Sequence, residues 1–245
     1  MRMSSSSIFV LLHGGRHGGW CWVRVARILR SRGHEVLTPT LTGLGERSHL
    51  LGKEIGLSTH IEDLVRVFAF NDLSDVVLVA HSYGGVVVSG AMERIYDRVR
   101  RLVFLDAHMP ESGQSVFDII GPDRAGEMTT MASEEGEGWF IPASDASHWG
   151  ITDTADRAWV NTKVTAQPLR TYVDRLGSTD RARIHPSMFI ECTRSSLPAA
   201  ELEWQRSRSL NDSVHQFRRL NAPHDSMVTH PREVATLLLE AAELD

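Results

Sequence analysis

Residues 76–91 read VVLVAHSYGGVVVSGA, and this stretch decides the fold. Its first five residues form a continuous apolar run, which is typical of a strand that is buried on both faces. The turn His-Ser-Tyr-Gly-Gly follows at once, and a helix is expected from there to about Tyr96. The stretch therefore predicts a buried strand, a tight turn that carries Ser82, and a helix.

The turn around Ser82 matches the pattern Gly-x-Ser-x-Gly, except that Ala80 stands at the first glycine. A strand and a helix pack closely around such a turn, so a small residue is required there, and alanine meets this requirement. The turn would expose the Ser82 hydroxyl above the sheet and aim the backbone N–H of Tyr83 at a developing oxyanion. Because a strand and a helix frame the turn, Ser82 is predicted to be a nucleophile.

Further apolar runs alternate with helical patterns on both sides of this stretch. Other strands are expected at 8–12, 35–39, 102–105, 188–192 and 214–220. This alternation predicts an α/β fold, with a mostly parallel sheet of about six strands flanked by helices. Residues 107–185 interrupt the alternation, and we expect them to form a helical cap over the sheet edge where ligands bind. The chain, 1–245, is predicted to be one domain with this cap inserted.

The composition is that of an ordinary globular protein. The chain has 245 residues, of which 42% are hydrophobic and 23% are charged, and its net charge is −5. No basic cluster indicates binding to nucleic acid or to an anionic membrane. Cys21 and Cys192 lie far apart and fit no metal-binding spacing, so two free thiols are expected.

No segment of the sequence has the pattern of a signal peptide or a membrane helix. The first apolar run, 8–12, is too short for a signal peptide, and no run is long enough to cross a membrane. We therefore expect a cytoplasmic protein with a small-molecule substrate and without a cofactor or a metal. A homodimer is an open alternative to a monomer.

A serine hydroxyl needs a base, and in this architecture the acid and then the base follow the serine along the chain. The base is expected in the loop between the last strand and the final helix, where His224 lies four residues past Leu220. His230 lies in the same loop, but it directly precedes Pro231 and is expected to start the final helix. His224 is therefore the predicted base.

The loop after the first predicted strand reads LLHGGRHGGW at 11–20. Gly15 in this loop can present its N–H to the site without obstruction from a side chain. The loop contains neither Gly-Lys-Ser/Thr nor Gly-x-Gly-x-x-Gly, which argues against a phosphate-binding loop. Gly15 and Tyr83 are therefore predicted to form an oxyanion hole.

Five segments of the chain resemble the α/β-hydrolase superfamily, in the branch of plant methyl esterases, hydroxynitrile lyases and small bacterial esterases. They read FVLLHGGRHGGWCW, VVLVAHSYGGVVVSGA, LVFLDAHMPESGQS, VTAQPLRTY and CTRSSLPAAELEWQ, in the order of that branch. The resemblance includes bacterial enzymes that cleave benzimidazole carbamates. It implies an α/β-hydrolase fold in which Ser82 and His224 are nucleophile and base, with Gly15 and Tyr83 in the oxyanion hole.

The acid of the triad is missing from its usual place. Relatives of this branch carry it in a Cys-Thr-x-Asp pattern, and here that position is Ser195. Asp106 ends a neighbouring predicted strand, as the acid does in one class of haloalkane dehalogenases, and it is the predicted acid. Glu191 is an alternative, because a charge in an apolar strand needs a partner. A Ser-His dyad without an acid, or Ser195 bonded to the imidazole, are further alternatives.

Aromatic residues indicate the kind of substrate. Trp20, Cys21, Trp139 and Trp149 are predicted to line the pocket, which favours a small, apolar and aromatic ligand. We therefore expect a serine hydrolase that cleaves a carboxylic or carbamate ester through an acyl-enzyme intermediate. Alternatives are a receptor-like binding protein with weak turnover, or a lyase or cofactor-free oxygenase. Asp225 replaces the lysine that follows the base in the lyases, which argues against cyanohydrin cleavage.

Overall fold

Eight strands are present in the part of the chain that the structure, a computed structural model, describes: residues 6–195, 197–211 and 214–244. They are β1 (Ile8–Leu12), β2 (Glu35–Leu37), β3 (Val76–His81), β4 (Val99–Leu105), β5 (Phe140–Ile141), β6 (Gln167–Pro168), β7 (Ser187–Arg194) and β8 (His215–Pro223). Six of them form one sheet in the order β2-β1-β3-β4-β7-β8. Every pair of neighbours in this sheet is parallel, so the predicted α/β fold with a six-stranded sheet is confirmed.

Helices cover both faces of the sheet. They are α1 (Val23–Ser31), α2 (Leu57–Phe70), α3 (Gly84–Ile95), α4 (Val116–Ile120), α5 (Pro122–Glu135), α6 (Thr154–Asn161), α7 (Arg170–Val173), α8 (Asp180–Ile184), α9 (Ala199–Asn211), α10 (Ser226–Thr229) and α11 (Pro231–Glu243). Alternate residues of a strand point to opposite faces, and those of β3 divide between two hydrophobic clusters. Leu78 and Ala80 lie in the cluster that contains residues of α2 and α3, while Val77 and Val79 lie with α1 and α11.

The boundaries of several elements differ from the prediction. β4 begins at Val99 rather than at residue 102, and β8 continues to Pro223. After the first loop, the chain forms a single 3-10 turn at Gly19–Trp22 and becomes α-helical at Val23. The sequence analysis made no prediction for α9, whose residues are mostly polar. Backbone hydrogen bonds with neighbouring strands extend the strands beyond their apolar residues.

Residues 107–185 contain α4 to α8 and the antiparallel pair β5–β6, which the sequence did not predict. Several hydrogen bonds join this segment to loops at the carboxyl edge of the sheet, among them the following two. The Arg16 N–H donates to Gln167 Oε1 at 2.9 Å, and the Asp225 N–H donates to the Trp149 carbonyl at 3.3 Å. The division into one domain with a cap at 107–185 stays a prediction.

Both cysteines are free and buried. No helix among the described residues combines the length and the apolar character needed to cross a lipid bilayer.

Candidate active site

Ser82 lies in a strained turn between β3 and α3. Its backbone φ angle is 52°, in the left-handed region that residues other than glycine rarely adopt. Two glycines follow because there is no room for side chains: a Cβ on Gly84 would lie 2.7 Å from the His13 carbonyl oxygen, and one on Gly85 would overlap the His108 carbonyl oxygen. Within the described chain the Ser82 hydroxyl has no hydrogen-bond partner, so it is available to react.

Asp106 and His224 meet at the same edge of the sheet. Asp106 directly follows β4, with a φ of 43°, and His224 directly follows β8. The His224 Nδ1–H donates to Asp106 Oδ2 at 2.6 Å, and both side chains are buried. The His224 ring lies 4.5 Å, centroid to centroid, from the ring of His81, the neighbour of Ser82. The predicted nucleophile, acid and base are thus brought to one place.

The carboxylate of Asp106 receives two further hydrogen bonds from β7 and the loop after it. The Cys192 N–H donates to Oδ1 at 3.1 Å, and the Ser195 hydroxyl donates to Oδ2 at 2.8 Å. Burial alone would raise the pKa of Asp106, but the bonds from His224, Ser195 and Cys192 lower it below its ordinary value. Ser195 therefore bonds the carboxylate, and the alternative that it bonds the imidazole is wrong. Its neighbour Ser196 lies outside the described residues.

Glu191 does not partner the imidazole. It is buried on β7, and its carboxylate accepts from Arg206 Nε at 2.5 Å and from Arg219 Nε at 3.2 Å. These two cations satisfy the charge that made Glu191 a candidate. The alternative in which Glu191 bonds His224 is therefore wrong.

The backbone amides of Gly15 and Tyr83 are both free to bind a ligand. Neither N–H donates a hydrogen bond to another described residue. The two loops approach each other closely, since a Cβ on Gly14 would lie 2.9 Å from the Cβ of Ser82. The Tyr83 side chain points away into the core, where its hydroxyl bonds His60 Nδ1 at 2.8 Å. Two free amides beside a free serine hydroxyl have the arrangement that an oxyanion requires.

A second histidine–aspartate pair holds the Gly15 loop. His17 Nε2–H donates to Asp225 Oδ2 at 3.0 Å, and His17 Nδ1–H donates to the Gly15 carbonyl at 2.8 Å. Burial alone would lower the pKa of His17 and raise that of Asp225. Their mutual charge and hydrogen bond overcome burial, so the pKa of His17 is raised and that of Asp225 is lowered. A buried ion pair therefore anchors the loop that presents the Gly15 amide.

This geometry agrees with the sequence comparisons. The model of the alpha/beta hydrolase family matches residues 9–237. The chain belongs to the alpha/beta hydrolase family. The carbendazim hydrolyzing esterase of Nocardioides sp. (strain SG-4G) is 42% identical to this hydrolase over 174 residues, which are 67% of this chain and 70% of the relative. Methylesterase 10 of Arabidopsis thaliana is 30% identical over 254 residues, which are 96% and 91% of the two chains.

The solved structures agree with this assignment of the fold. An extracellular alpha/beta-hydrolase from a Paenibacillus species, described as sharing structural and functional homology with tobacco salicylic acid binding protein 2, superimposes with a TM-score of 0.84. The alignment covers 97% of this hydrolase and 100% of that chain, at 23% sequence identity. The expected fold, family and enzyme class, a carboxylic-ester hydrolase, are confirmed.

The three tryptophans that were predicted to line the pocket lie in two different places. The Trp20 ring stacks on His17 at 5.3 Å, and the Trp149 ring packs edge-on against His17 at 4.6 Å, so both tryptophans surround the loop of Gly15. Trp139 lies elsewhere, against Phe140 and with its indole N–H bonded to Glu137. Its place in the pocket stays a prediction.

Cys21 does not lie on an open surface of the site. It is fully buried beside Trp22 and Val25 in the hydrophobic cluster that contains residues of α1 and α11, and burial raises the pKa of its thiol. Its place in the pocket stays a prediction. In the 3-10 turn at Gly19–Trp22, it points into the core.

Three side chains of the hydrolase with metal-binding atoms lie within 4.8 Å of one another: His81, His224 and Asp225. One atom of each side chain is used in a hydrogen bond. His224 Nδ1 bonds Asp106, Asp225 Oδ2 accepts from His17, and His81 Nε2–H donates to the His224 carbonyl at 3.1 Å. Each side chain also keeps one atom without a hydrogen-bond partner among the described residues: His81 Nδ1, His224 Nε2 and Asp225 Oδ1. The expectation of an enzyme without a metal stays a prediction.

The sequence analysis missed the pair of His17 and Asp225. One signal could have indicated it: Asp225 places a charge directly after the predicted base, in a loop between apolar elements. Such a charge needs a partner when it is buried. The identity of that partner could not be read from the sequence, because 208 positions separate the two residues.

Proposed function

We propose that this protein is a serine hydrolase that cleaves a small aromatic carboxylic or carbamate ester through an acyl-enzyme intermediate. The hydrogen bond of 2.6 Å between His224 Nδ1 and Asp106 Oδ2, beside the strained turn of Ser82, carries the proposal. An imidazole oriented in this way can use its other nitrogen, Nε2, as a base.

In the first half-reaction, Ser82 Oγ attacks the carbonyl carbon while His224 Nε2 takes the hydroxyl proton. Asp106 stays ionised and stabilises the imidazolium that forms. The carbonyl oxygen becomes an oxyanion, and the amides of Gly15 and Tyr83 donate hydrogen bonds to it. The bond to the alcohol oxygen then breaks, and the alcohol leaves with the proton from His224. The acyl group stays on Ser82.

In the second half-reaction, water attacks the acyl carbon while His224 takes one of its protons. The bond to Ser82 Oγ breaks, and Ser82 recovers the proton from His224. The carboxylic acid then leaves, and the enzyme returns to its starting state. A carbamate ester follows the same steps and releases a carbamic acid in place of the carboxylic acid.

Aromatic side chains beside the Gly15 loop support an aromatic substrate. Trp20 and Trp149 flank His17 there, and aromatic walls favour flat apolar ligands. The name of the Nocardioides relative, a carbendazim hydrolyzing esterase, favours carbamates among the esters to be tested. A homodimer and a cytoplasmic location stay predictions.

The hypothesis of a receptor-like protein with weak turnover depended on the absence of an acid. Asp106 lies at hydrogen-bond distance from His224, which removes that reason. The lyase and oxygenase alternatives gain no support, because Asp225 forms an ion pair with His17.

The proposal is tested by the hydrolysis of p-nitrophenyl acetate and of an aryl carbamate methyl ester. We expect turnover by the wild-type enzyme and a loss of about 10⁶-fold in kcat for Ser82→Ala, because serine and base act as a unit. Mass spectrometry of the quenched reaction should find the acyl group on a peptide that contains Ser82.

Ser89→Ala provides a matched control. Ser89 lies on α3, and its buried hydroxyl donates to the Gly85 carbonyl at 2.7 Å. Its loss should leave the acyl-enzyme and kcat near wild type. Equal turnover by the wild type and Ser82→Ala would reject the serine mechanism.

A further inference from the structure

The hydroxyl of Tyr172 lies beside Gly15, one of the two residues of the proposed oxyanion hole. A Cβ built on Gly15 would overlap the Tyr172 hydroxyl oxygen, so this oxygen occupies the space that a side chain at position 15 would fill. The Tyr172 ring also stacks on the Tyr83 ring, with centroids 5.4 Å apart and 5° between their planes. Tyr172 thus contacts both residues that supply the free amides.

The segment that carries Tyr172 is fixed to the same loop. Gln167 Oε1 accepts from the Arg16 N–H at 2.9 Å, and the Thr165 N–H donates to the Arg16 carbonyl at 3.0 Å. Gln167 Nε2 also donates to Thr171 Oγ1 at 2.6 Å, directly before Tyr172. These bonds hold the Tyr172 hydroxyl in place relative to Gly15.

Arg16 is a charged neighbour of the Tyr172 hydroxyl in the loop of Gly15. The Arg16 side chain is 4% exposed and pairs with no carboxylate of the described residues. Burial lowers the pKa of Arg16, and the neighbouring Tyr172 hydroxyl opposes that effect. A guanidinium has donors and no acceptor, so toward Arg16 the Tyr172 oxygen can only accept. Arg16 therefore cannot accept the Tyr172 proton.

No acceptor among the described residues takes this proton. Burial raises the pKa of Tyr172, and the charges of Arg16 and Arg124 oppose this only in part, so the hydroxyl is neutral at neutral pH. A neutral hydroxyl with a free proton next to Gly15 is a donor without a partner in the unliganded protein.

We propose that Tyr172 is a third oxyanion donor. Its hydroxyl donates a hydrogen bond to the carbonyl oxygen of the substrate, alongside the amides of Gly15 and Tyr83. No proton is transferred from Tyr172, and Arg16 is a positioning residue that leaves its proton free. This assignment rests on the acyl-enzyme reaction proposed above.

The test is Tyr172→Phe, which removes only the hydroxyl. We expect kcat for p-nitrophenyl acetate to fall about 10²-fold, the usual effect of losing one oxyanion donor, with little change in KM. The affinity for an aryl trifluoromethyl ketone, whose adduct with Ser82 carries an oxyanion, should fall by a similar factor. Tyr96→Phe is the control, because Tyr96 is 39% exposed and outside the site, and it should match the wild type.

A double variant that removes the hydroxyl at residue 172 and introduces one at residue 15 makes the test specific. Gly15→Ser alone should be inactive, because its Cβ overlaps the Tyr172 hydroxyl. In the Tyr172→Phe background the nearest ring atom lies 3.4 Å from that Cβ, so the serine fits and its hydroxyl can donate. The double variant should therefore recover kcat relative to both single variants.

The role of Arg16 is tested by a double-mutant cycle. Arg16→Gln should lower kcat in the wild type, because glutamine offers an acceptor to the Tyr172 proton. It should have no further effect on kcat in Tyr172→Phe. An equal effect in both backgrounds would overturn the positioning role.

The donor role of Tyr172 fails separately from the serine mechanism. Wild-type kcat and ketone affinity in Tyr172→Phe, in an enzyme that Ser82→Ala inactivates, would overturn the donor role alone. Activity that survives Ser82→Ala would instead reject the acyl-enzyme reaction.

Discussion

Two histidine–aspartate pairs lie at the same edge of the sheet, and they differ in the second nitrogen of each imidazole. His224 bonds Asp106 at 2.6 Å, and His17 bonds Asp225 at 3.0 Å. The second nitrogen of His17 is occupied by the Gly15 carbonyl, at 2.8 Å. The second nitrogen of His224 bonds no described residue. Only His224 can therefore take a proton from a nucleophile.

The difference shows that the residue types alone do not decide what such a pair does. With one nitrogen free, the pair orients a base. With both nitrogens bonded, the imidazole of His17 is charged, and its ion pair with Asp225 holds the Gly15 loop in place. We call this pair the buried clamp. If this comparison holds, a variant of Asp106 should mainly lower kcat, whereas a variant of Asp225 should also lower the unfolding free energy.

The largest effect is expected for Asp106→Asn, which keeps the shape of the side chain but removes its charge. The asparagine would favour the wrong tautomer of His224, so kcat for p-nitrophenyl acetate should fall about 10⁴-fold. The unfolding free energy should change much less than for a variant of the buried clamp. Full activity in Asp106→Asn would end the assignment of Asp106 as the acid.

Glu191→Gln is the matched control for this variant. Glu191 is also buried and lies near the same strand ends, but its carboxylate bonds Arg206 and Arg219. We expect kcat near that of the wild type, measured on the folded fraction. A loss as large as that of Asp106→Asn would show that the acid has been misassigned.

The second-largest effect on kcat is expected for Asp225→Asn, which breaks the ion pair between His17 and Asp225. Removing one partner of a buried ion pair typically costs about 3–5 kcal/mol of unfolding free energy. Without the ion pair the Gly15 loop is no longer held, and its amide is misplaced. We therefore expect kcat to fall about 10–100-fold. Denaturant unfolding and steady-state kinetics measure the two effects. A loss of kcat near 10⁴-fold with unchanged stability would reverse the roles of the two pairs.

The pH dependence of the unfolding free energy tests whether His17 is charged in the folded protein. The raised pKa of His17 means that its contribution is fully present below its ordinary pKa, about 6.5, and is lost as the pH rises through the folded-state pKa. In Asp225→Asn burial dominates, so His17 is neutral in the folded protein. The stability gap between wild type and Asp225→Asn should therefore be larger near pH 6 than near pH 9. A gap that grows with pH would contradict a charged His17.

The smallest effect is expected for Ser195→Ala. Asp106 would lose one hydrogen bond of three, so kcat should fall about tenfold or less. The pKa of Asp106 should rise, because one of the hydrogen bonds that lower it is lost. Ser195→Thr, which retains the hydroxyl, is the control. A kcat in Ser195→Ala equal to that of the wild type would show that the bond from Ser195 to the carboxylate does not affect catalysis.

The sequence was most informative where the contacts are local. The strand, turn and helix around Ser82 follow from apolar spacing and two glycines, all within 16 residues of chain. His224 was found because it follows the last strand. The full burial of Cys21 could not be read from the sequence, because a position beside the loop does not fix the direction of a side chain.

The candidate acid shows the limit of such local signals. The sequence indicated Asp106 only through the empty position at Ser195, and Glu191 remained an alternative. Asp106 and His224 are 118 positions apart, and the order β4-β7-β8 decides which carboxylate faces the imidazole. Two arginines that bond Glu191 could not be assigned to it from sequence spacing.

The sequence by itself determined the parallel sheet, the turn of Ser82 and the place of His224, because hydrophobic periodicity and turn sterics act between near neighbours. Only the tertiary structure decided which aspartate serves which histidine and where the Tyr172 hydroxyl lies. Those contacts join loops that are far apart in the chain, and their distances depend on how the strands and the segment 107–185 pack together.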